Sequence, residues 1–222
     1  QSVGQARQLE NPDARVAFEE VSEWTLLSQL ADYGKGSTTG DAPRFLHYIW
    51  EIPMCTNGYV QWLNSPEIDS PWSGRRQYCV MPLDSQELRL QLGCRIHGQS
   101  VWGRPGIAVN KMRELEPFLY SGEVFDDNVC PICPSSIRNI QALWVYVTSE
   151  DYNLQVRRID QKLNVTTATL VKVPFDLDHW AAVAAEQYPN GLPKPYTNDP
   201  TQWIFHGHPC GAVEWNEGTK WT

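Results

Sequence analysis

TSEDYNLQVRRIDQKLNVTTATLVKV, residues 148–173, is the stretch whose reading decides the fold. Tyr152, Val156, Ile159 and Leu163 recur at the spacing of one helical face, and Thr148-x-x-Asp151 resembles a capping box. The spacing predicts a helix over 149–163, the most regular in the chain. Arg157, Arg158 and Lys162 fall off its apolar face, towards solvent. Residues 169–173 then read as a short strand. A helix followed so closely by a strand, with no βαβ rhythm around it, points to an α+β fold of mixed short strands and several helices.

Downstream, Asp176 or Asp178 caps a last helix that ends near Tyr188, before Pro189. Residues 193–222 are rich in Pro, Asn, Trp and Gly and read as an extended tail wrapping the surface. Upstream, residues 136–148 carry two signals. Ile137, Ile140, Trp144 and Val147 suit a helix while the β-branched and aromatic content suits a strand; helix is preferred. Strands are predicted over 77–81, 107–109 and 118–125, the last interrupted at Gly122. A short helix over 85–92 closes at Gly93, and the turn 101–106 leads into the strand after it.

The first clear element is a helix over 19–33, with Val21, Trp24, Leu27 and Leu30 or Ala31 on one face. Gly34 stands where a left-handed residue would end it. Residues 34–41 hold three glycines and three hydroxyls, a loop whose bare backbone allows close approach of a ligand. Residues 45–52 read as a mostly buried strand and 56–74 as turn-rich. There are no repeats.

The chain has 222 residues, enough for one domain with a sizeable core. Apolar residues make up 41% and charged residues 20%, which excludes disordered and collagen-like classes. The net charge of −8 argues, taken whole, against nucleic acid, because phosphate affinity comes from Lys and Arg. By segment the balance differs. Residues 1–71 hold 4 basic and 10 acidic side chains, residues 173–222 hold 2 and 6, and residues 72–172 hold 12 and 10. The acid sits at the ends, so a positive surface in the middle is compatible with the sequence. The organisation read from this is one domain over 1–222: an acidic segment over 1–71, a core over 72–192 and the tail over 193–222.

Gln1 is followed by no basic and apolar signal pattern, and no apolar run nears the roughly 20 residues of a membrane helix. A start without Met suggests a piece of a longer or processed chain. Six cysteines in a chain this long do not demand a disulfide framework and fit reduced thiols in a cytoplasm. Cys130-Pro-Ile-Cys133 has the spacing of half a zinc site, but its apolar interior suits a strand, and two buried thiols are the expectation. His206-Gly-His208 offers metal ligands or a general base without a third partner. A packed turn is the preferred reading there. The ten tryptophans either fill the core or stack on ligands.

No serine nucleophile elbow, Walker loop or dinucleotide glycine motif is present, so a self-contained enzyme is poorly supported. The basic residues do form clusters. Arg75 and Arg76 follow a Ser-Gly turn. Arg104, Lys111 and Arg113 flank Trp102, Gly103 and Asn110, while Arg157, Arg158 and Lys162 line the polar side of one helix. Each cluster alone suits a solvated face. Together they suit a duplex, with Arg and Lys on phosphates and Asn110, Gln99 or an Arg on base edges.

Several longer phrases carry a family resemblance. GSTTGDAPRF (36–45), after LLSQLADYGK (26–35), resembles the opening of the target-recognition region of large N6-adenine DNA methyltransferases. These occur in type II restriction–modification and in phage-defence systems of the BREX and DISARM kind. SPWSGRRQYC (70–79), residues 102–128, residues 152–180 and DPTQWIFHGHP (199–209) are similar to successive blocks of that family. The blocks cover nearly the whole chain in order.

The resemblance implies a TaqI-like specificity domain, with double-stranded DNA as partner and no membrane. It implies a separate, preceding methyltransferase domain that binds S-adenosylmethionine and carries an Asn/Asp-Pro-Pro-Tyr/Phe motif. That motif is missing here: Asn11-Pro12-Asp13 is not it, and the chain has no Pro-Pro pair. The expectation is a domain that does not methylate and holds no cofactor, but grips DNA while its partner domain flips out an adenine. Matched to the family blocks, Thr38, Thr39, Arg75, Arg76, Trp102, Arg104, Asn110, Lys111, Arg113, Arg157, Arg158 and Lys162 are the expected DNA contacts. The alternative is a Trp-rich binding module or small metal-dependent hydrolase using His206 and His208.

Overall fold

The computed structural model describes residues 25–48, 51, 58–66, 70–75 and 79–194. In chain order these hold α1 (Leu27–Leu30), β1 (Ala31–Tyr33), α2 (Ala42–Phe45), β2 (His47–Tyr48), β3 (Tyr59–Leu63) and β4 (Cys79–Pro82). Then follow α3 (Gln86–Leu90), β5 (Gly106–Asn110), β6 (Pro117–Tyr120), β7 (Val124–Phe125) and β8 (Val129–Pro134). Three helices complete the set: α4 (Ile140–Val147), α5 (Glu150–Ile159) and α6 (Leu177–Gln187). The class is α+β, as the sequence indicates, and no helix among the described residues is long and apolar enough to cross a membrane.

Two sheets organise the chain. The first has the order β1-β8-β5-β6, antiparallel throughout. Its strands alternate with period two, and both faces are covered. Ile107, Val109, Cys130 and Ile132 face a core shared with Leu143, Tyr146 and Val147 of α4 and Tyr152 and Val156 of α5. Ala108, Phe118, Tyr120, Val129 and Cys133 face a second cluster with Leu63, Val101 and Phe125. Every residue of β8 is buried, which is why it reads as continuous apolar sequence rather than alternation. The second sheet, β2-β4-β3-β7, is antiparallel except that β7 runs parallel to β3, and Phe45, Trp62, Leu88 and Val124 fill its cluster.

Local signals placed several helices well. Ser85 caps α3, accepting from the Leu88 N–H at 3.3 Å, and Gly93 after it adopts φ +84°. Asp176 caps α6, accepting from the His179 N–H at 3.0 Å. The cap of α5 is Ser149, not Thr148: its Oγ accepts from the Tyr152 N–H at 3.2 Å. α5 ends at Ile159, short of Leu163, because Asp160 turns to φ −143° and ψ 114°. Leu163 is exposed.

Other expectations give way to long-range pairing. Of the helix over 19–33, residues 19–24 lie outside the described residues and only Leu27–Leu30 is helical. Ala31–Tyr33 is a strand, since its backbone groups find partners on Ile132–Pro134 of β8. Gly34 is not left-handed; it is buried because Val101 and Phe125 leave no room for a side chain. Phe45 ends a helical turn, and of the strand expected over 45–52 His47–Tyr48 is a strand, while residues 49, 50 and 52 lie outside the described residues. The turn-rich stretch 56–74 contains β3, which sits between β4 and β7. Residues 169–171 form a 3-10 turn rather than a strand. The thiols of Cys130 and Cys133, three apart on one strand, join opposite faces and do not converge.

The described tryptophans belong to the clusters. Trp62 and Trp144 are buried, while Trp72, Trp102 and Trp180 pack half-buried against them. Trp144 Nε1 donates to Tyr188 Oη at 3.0 Å and Trp72 Nε1 to the Pro193 carbonyl at 3.1 Å.

Candidate nucleic-acid interface

α5 brings a cationic end towards a neighbouring loop. Tyr152 and Val156 anchor its inner face, and Tyr152 Oη donates to the Leu170 carbonyl at 3.0 Å. Arg157 and Arg158 fall in its last turn, where positive charge complements the helix dipole. Beside this end, residues 111–113 lie antiparallel to 163–165. The Arg113 N–H donates to the Leu163 carbonyl at 3.1 Å, the Val165 N–H to the Lys111 carbonyl at 3.0 Å, and Met112 bridges to Asn164. Arg113 and Leu115 hold φ of +52° and +57°, unusual for non-glycine residues. Leu115 is buried, which fixes that kink from inside.

Arg157 joins these pieces. Its guanidinium donates from Nη1 to the Lys162 carbonyl and from Nη2 to the Arg113 carbonyl. Arg113, Arg158 and Lys162 are exposed; Arg157 brings Arg113 and Lys162 together, and Arg158 follows it in the last turn of α5. Asp160 lies among these residues, its Oδ1 accepting from the Lys162 N–H at 3.0 Å.

The remaining expected residues are elsewhere. Arg75 is buried and closes an ion pair with Glu123, Nε to Oε1 at 2.7 Å, so its guanidinium braces the interior instead of reaching the surface. Lys111 is also buried, its Nζ 3.7 Å from Asp127 Oδ1. Arg104 pairs with Asp32 at 2.7 Å before the start of β5, whereas Arg113 follows its other end, roughly 14 Å along the strand. Asn110 turns its Oδ1 to the Met112 N–H at 3.2 Å. Thr38 Oγ1 donates to the Gly93 carbonyl at 2.8 Å, and Thr39 is buried. The glycine loop thus holds the turn after α3, and Gly36 sits against the Asp126 backbone. Trp102 is half-buried, and its Nε1 has no hydrogen-bond partner among the described residues. Arg76, His206 and His208 lie outside the described residues.

Sequence reasoning missed Glu123, whose only signal was its place in an otherwise apolar strand region. It also missed a cleft of about 380 Å³ at the opposite end of α5, lined by Glu114, Leu115, Pro117, Val147, Glu150 and Leu154 among others. Glu114 and Glu150 put negative charge on its lining, which opposes phosphate. The two strand thiols are held protonated: burial pushes Cys130 and Cys133 up to about 12, with the charges of Lys111 and Arg104 respectively opposing it.

No protein-family model matches this chain, and no curated protein matches it. Among solved structures, the HsdS subunit from Thermoanaerobacter tengcongensis is similar at 10% sequence identity and a TM-score of 0.48. The match covers 86% of this chain and 40% of that one, so this chain spans less than half of its length.

Proposed function

We propose that this chain is a DNA target-recognition domain, gripping duplex DNA through the edge formed by Arg113, Arg158 and Lys162. The observation that carries the reading is the meeting of two cationic segments, Arg113 and the end of α5, which lie 44 residues apart and are joined through Arg157. Such a cluster, rather than the net charge of −8, determines what a phosphate backbone meets locally. Its small size and its internal Asp160 agree with weak binding by the chain alone.

The resemblance supplies the finer part of the proposal. The domain would serve an N6-adenine methyltransferase of a restriction–modification or phage-defence system, working in a cytoplasm. A separate domain would bind S-adenosylmethionine and transfer its methyl group to a flipped adenine. The cofactor is assigned to that separate domain because the methyltransferase motif is absent from this sequence. No chemical step is assigned to this chain. Its contribution is position, setting which base pairs lie beneath the partner domain.

The test is equilibrium binding of the whole chain to duplex DNA between 50 and 200 mM potassium chloride. The expected result is a log–log slope near −0.9 for each phosphate neutralised, about −2 to −3 in all. No binding at 50 mM, or binding indifferent to salt, overturns the proposal.

A further inference from the structure

Arg157 stands among the expected phosphate contacts, but its geometry gives it another task. Both terminal nitrogens already donate to carbonyls, one at Lys162 and one at Arg113. We infer that Arg157 is a positioning residue, a clamp between the two segments that carry the exposed cations, and that phosphate contact falls to Arg113, Arg158 and Lys162. The inference rests on the duplex-binding reading and deepens it.

The Arg113 peptide units are held on both sides. The Arg113 N–H is held by the Leu163 carbonyl at 3.1 Å, and its own carbonyl is held by Arg157. Both sides of a residue at φ +52° are therefore fixed, and so is the direction in which its side chain leaves the loop. The same guanidinium holds the Lys162 carbonyl, with Asp160 Oδ1 on the Lys162 N–H at 3.0 Å. One planar fork thus sets the spacing between two cations from distant parts of the sequence. Carbonyls do not neutralise the guanidinium, so Arg157 still adds to the local positive field without touching phosphate. An ammonium cannot replace it: lysine has the charge but not the rigid two-pronged fork.

The experiment compares Arg157→Lys, Arg157→Gln and Lys162→Gln in the whole chain, by duplex binding across a salt series and by amide hydrogen exchange. The clamp predicts that both Arg157 variants speed exchange at the Arg113 and Val165 amides by about 10-fold, with β5 and β8 protected as before. Both lose affinity alike, so lysine does not rescue. Lys162→Gln instead reduces the salt slope by about 1 and leaves exchange unchanged. If Arg157→Lys binds DNA and exchanges like the wild type, Arg157 is a point-charge phosphate contact and the clamp is overturned. If the wild-type chain binds no duplex, the functional proposal fails on its own. The exchange data still decide the clamp, which falls if Arg157→Gln leaves both amides protected.

Discussion

Arg75 and Glu123 form an ion pair inside the molecule, Nε to Oε1 at 2.7 Å, with side chains only 2% and 4% exposed. The guanidinium also donates to the carbonyls of Trp72, Ser73 and Leu119, and lies 5.3 Å from the Trp72 ring. Glu123 in turn accepts from the Ser121 N–H and Oγ. Burial pushes the Glu123 carboxyl up, but the Arg75 charge and these hydrogen bonds hold it below the usual carboxylate range.

Replacing only Arg75 should therefore be severe. Arg75→Met strands a buried carboxylate and is expected to cost about 3–5 kcal/mol in urea unfolding at pH 7. Arg75→Met/Glu123→Leu should recover part of that loss. A double variant less stable than the single one would mean that the pair is not the source of the effect.

The same pair sets a pH dependence. A depressed carboxyl binds fewer protons folded than unfolded, so its stabilisation is complete above the ordinary glutamate range near 4.5 and is lost as pH falls through the lower folded value. In Arg75→Met the sign reverses, because a carboxyl buried without its partner keeps its proton when folded and loses stability as pH rises. The gap between the two proteins should narrow from pH 7 to pH 4. Chemical unfolding at both values checks this, and a constant gap counts against it.

Thiol labelling separates the cysteines. Cys130 and Cys133 are buried with thiols pushed up to about 12, whereas Cys94 is only partly covered. Alkylation at pH 7.5 followed by peptide mapping should modify Cys94 well before either strand cysteine. Denaturant should expose all three. Cys130 and Cys133 labelling together at the rate of Cys94 in the native protein would contradict the strand placement.

Two glycines distinguish strain from crowding. A Cβ on Gly40, at φ +78°, would meet the Leu92 carbonyl oxygen at 2.3 Å; one on Gly103, at φ +69°, meets nothing within 4 Å. Gly40→Ala is expected to cost about 2–4 kcal/mol, combining backbone strain and overpacking. Gly103→Ala should cost about 1–2 kcal/mol from strain alone. Thermal unfolding of the two variants ranks them, and equal losses would refute the close approach at Leu92.

Charge reversal at the surface tests the interface without touching the core. Arg158→Glu should lower duplex affinity at 50 mM salt by 10-fold or more while lowering the unfolding free energy by no more than about 1–2 kcal/mol, the cost of an acid at a helix C-terminus. Unchanged affinity would remove Arg158 from the interface. Arg157 is a poor choice for this purpose, because its reversal also releases two carbonyls.

The parts legible in the sequence are those governed by neighbours along the chain. Ser85 and Gly93 bracket α3, Asp176 starts α6, and Tyr152 and Val156 mark the inner face of α5. Residues 31–33 misled because an apolar residue at helical spacing is also acceptable in a strand, and β8 offered them partners a hundred positions away. Residues 59–63 were hidden by the turn signals around them, though β4 and β7 complete their pairing. Leu163 matched the helical period but not the end of the helix, which Asp160 decides locally.

The candidate site divides in the same way. Charge counts and spacing identified clustered arginines and placed Arg157, Arg158 and Lys162 near one helix end. They gave Arg75 and Arg158 equal standing, since a guanidinium reads the same whether or not a carboxylate waits in the core. By itself the sequence determined the α+β class, the starts of α3, α5 and α6 and the positive balance of the middle segment, because these follow from local propensity and composition. Only the tertiary structure decided that Arg75 and Lys111 turn inward, that Arg113 meets the end of α5, and that Cys130 and Cys133 part to opposite faces. Burial, strand register and long-range hydrogen bonds are relations between residues far apart in sequence, and no local pattern records them.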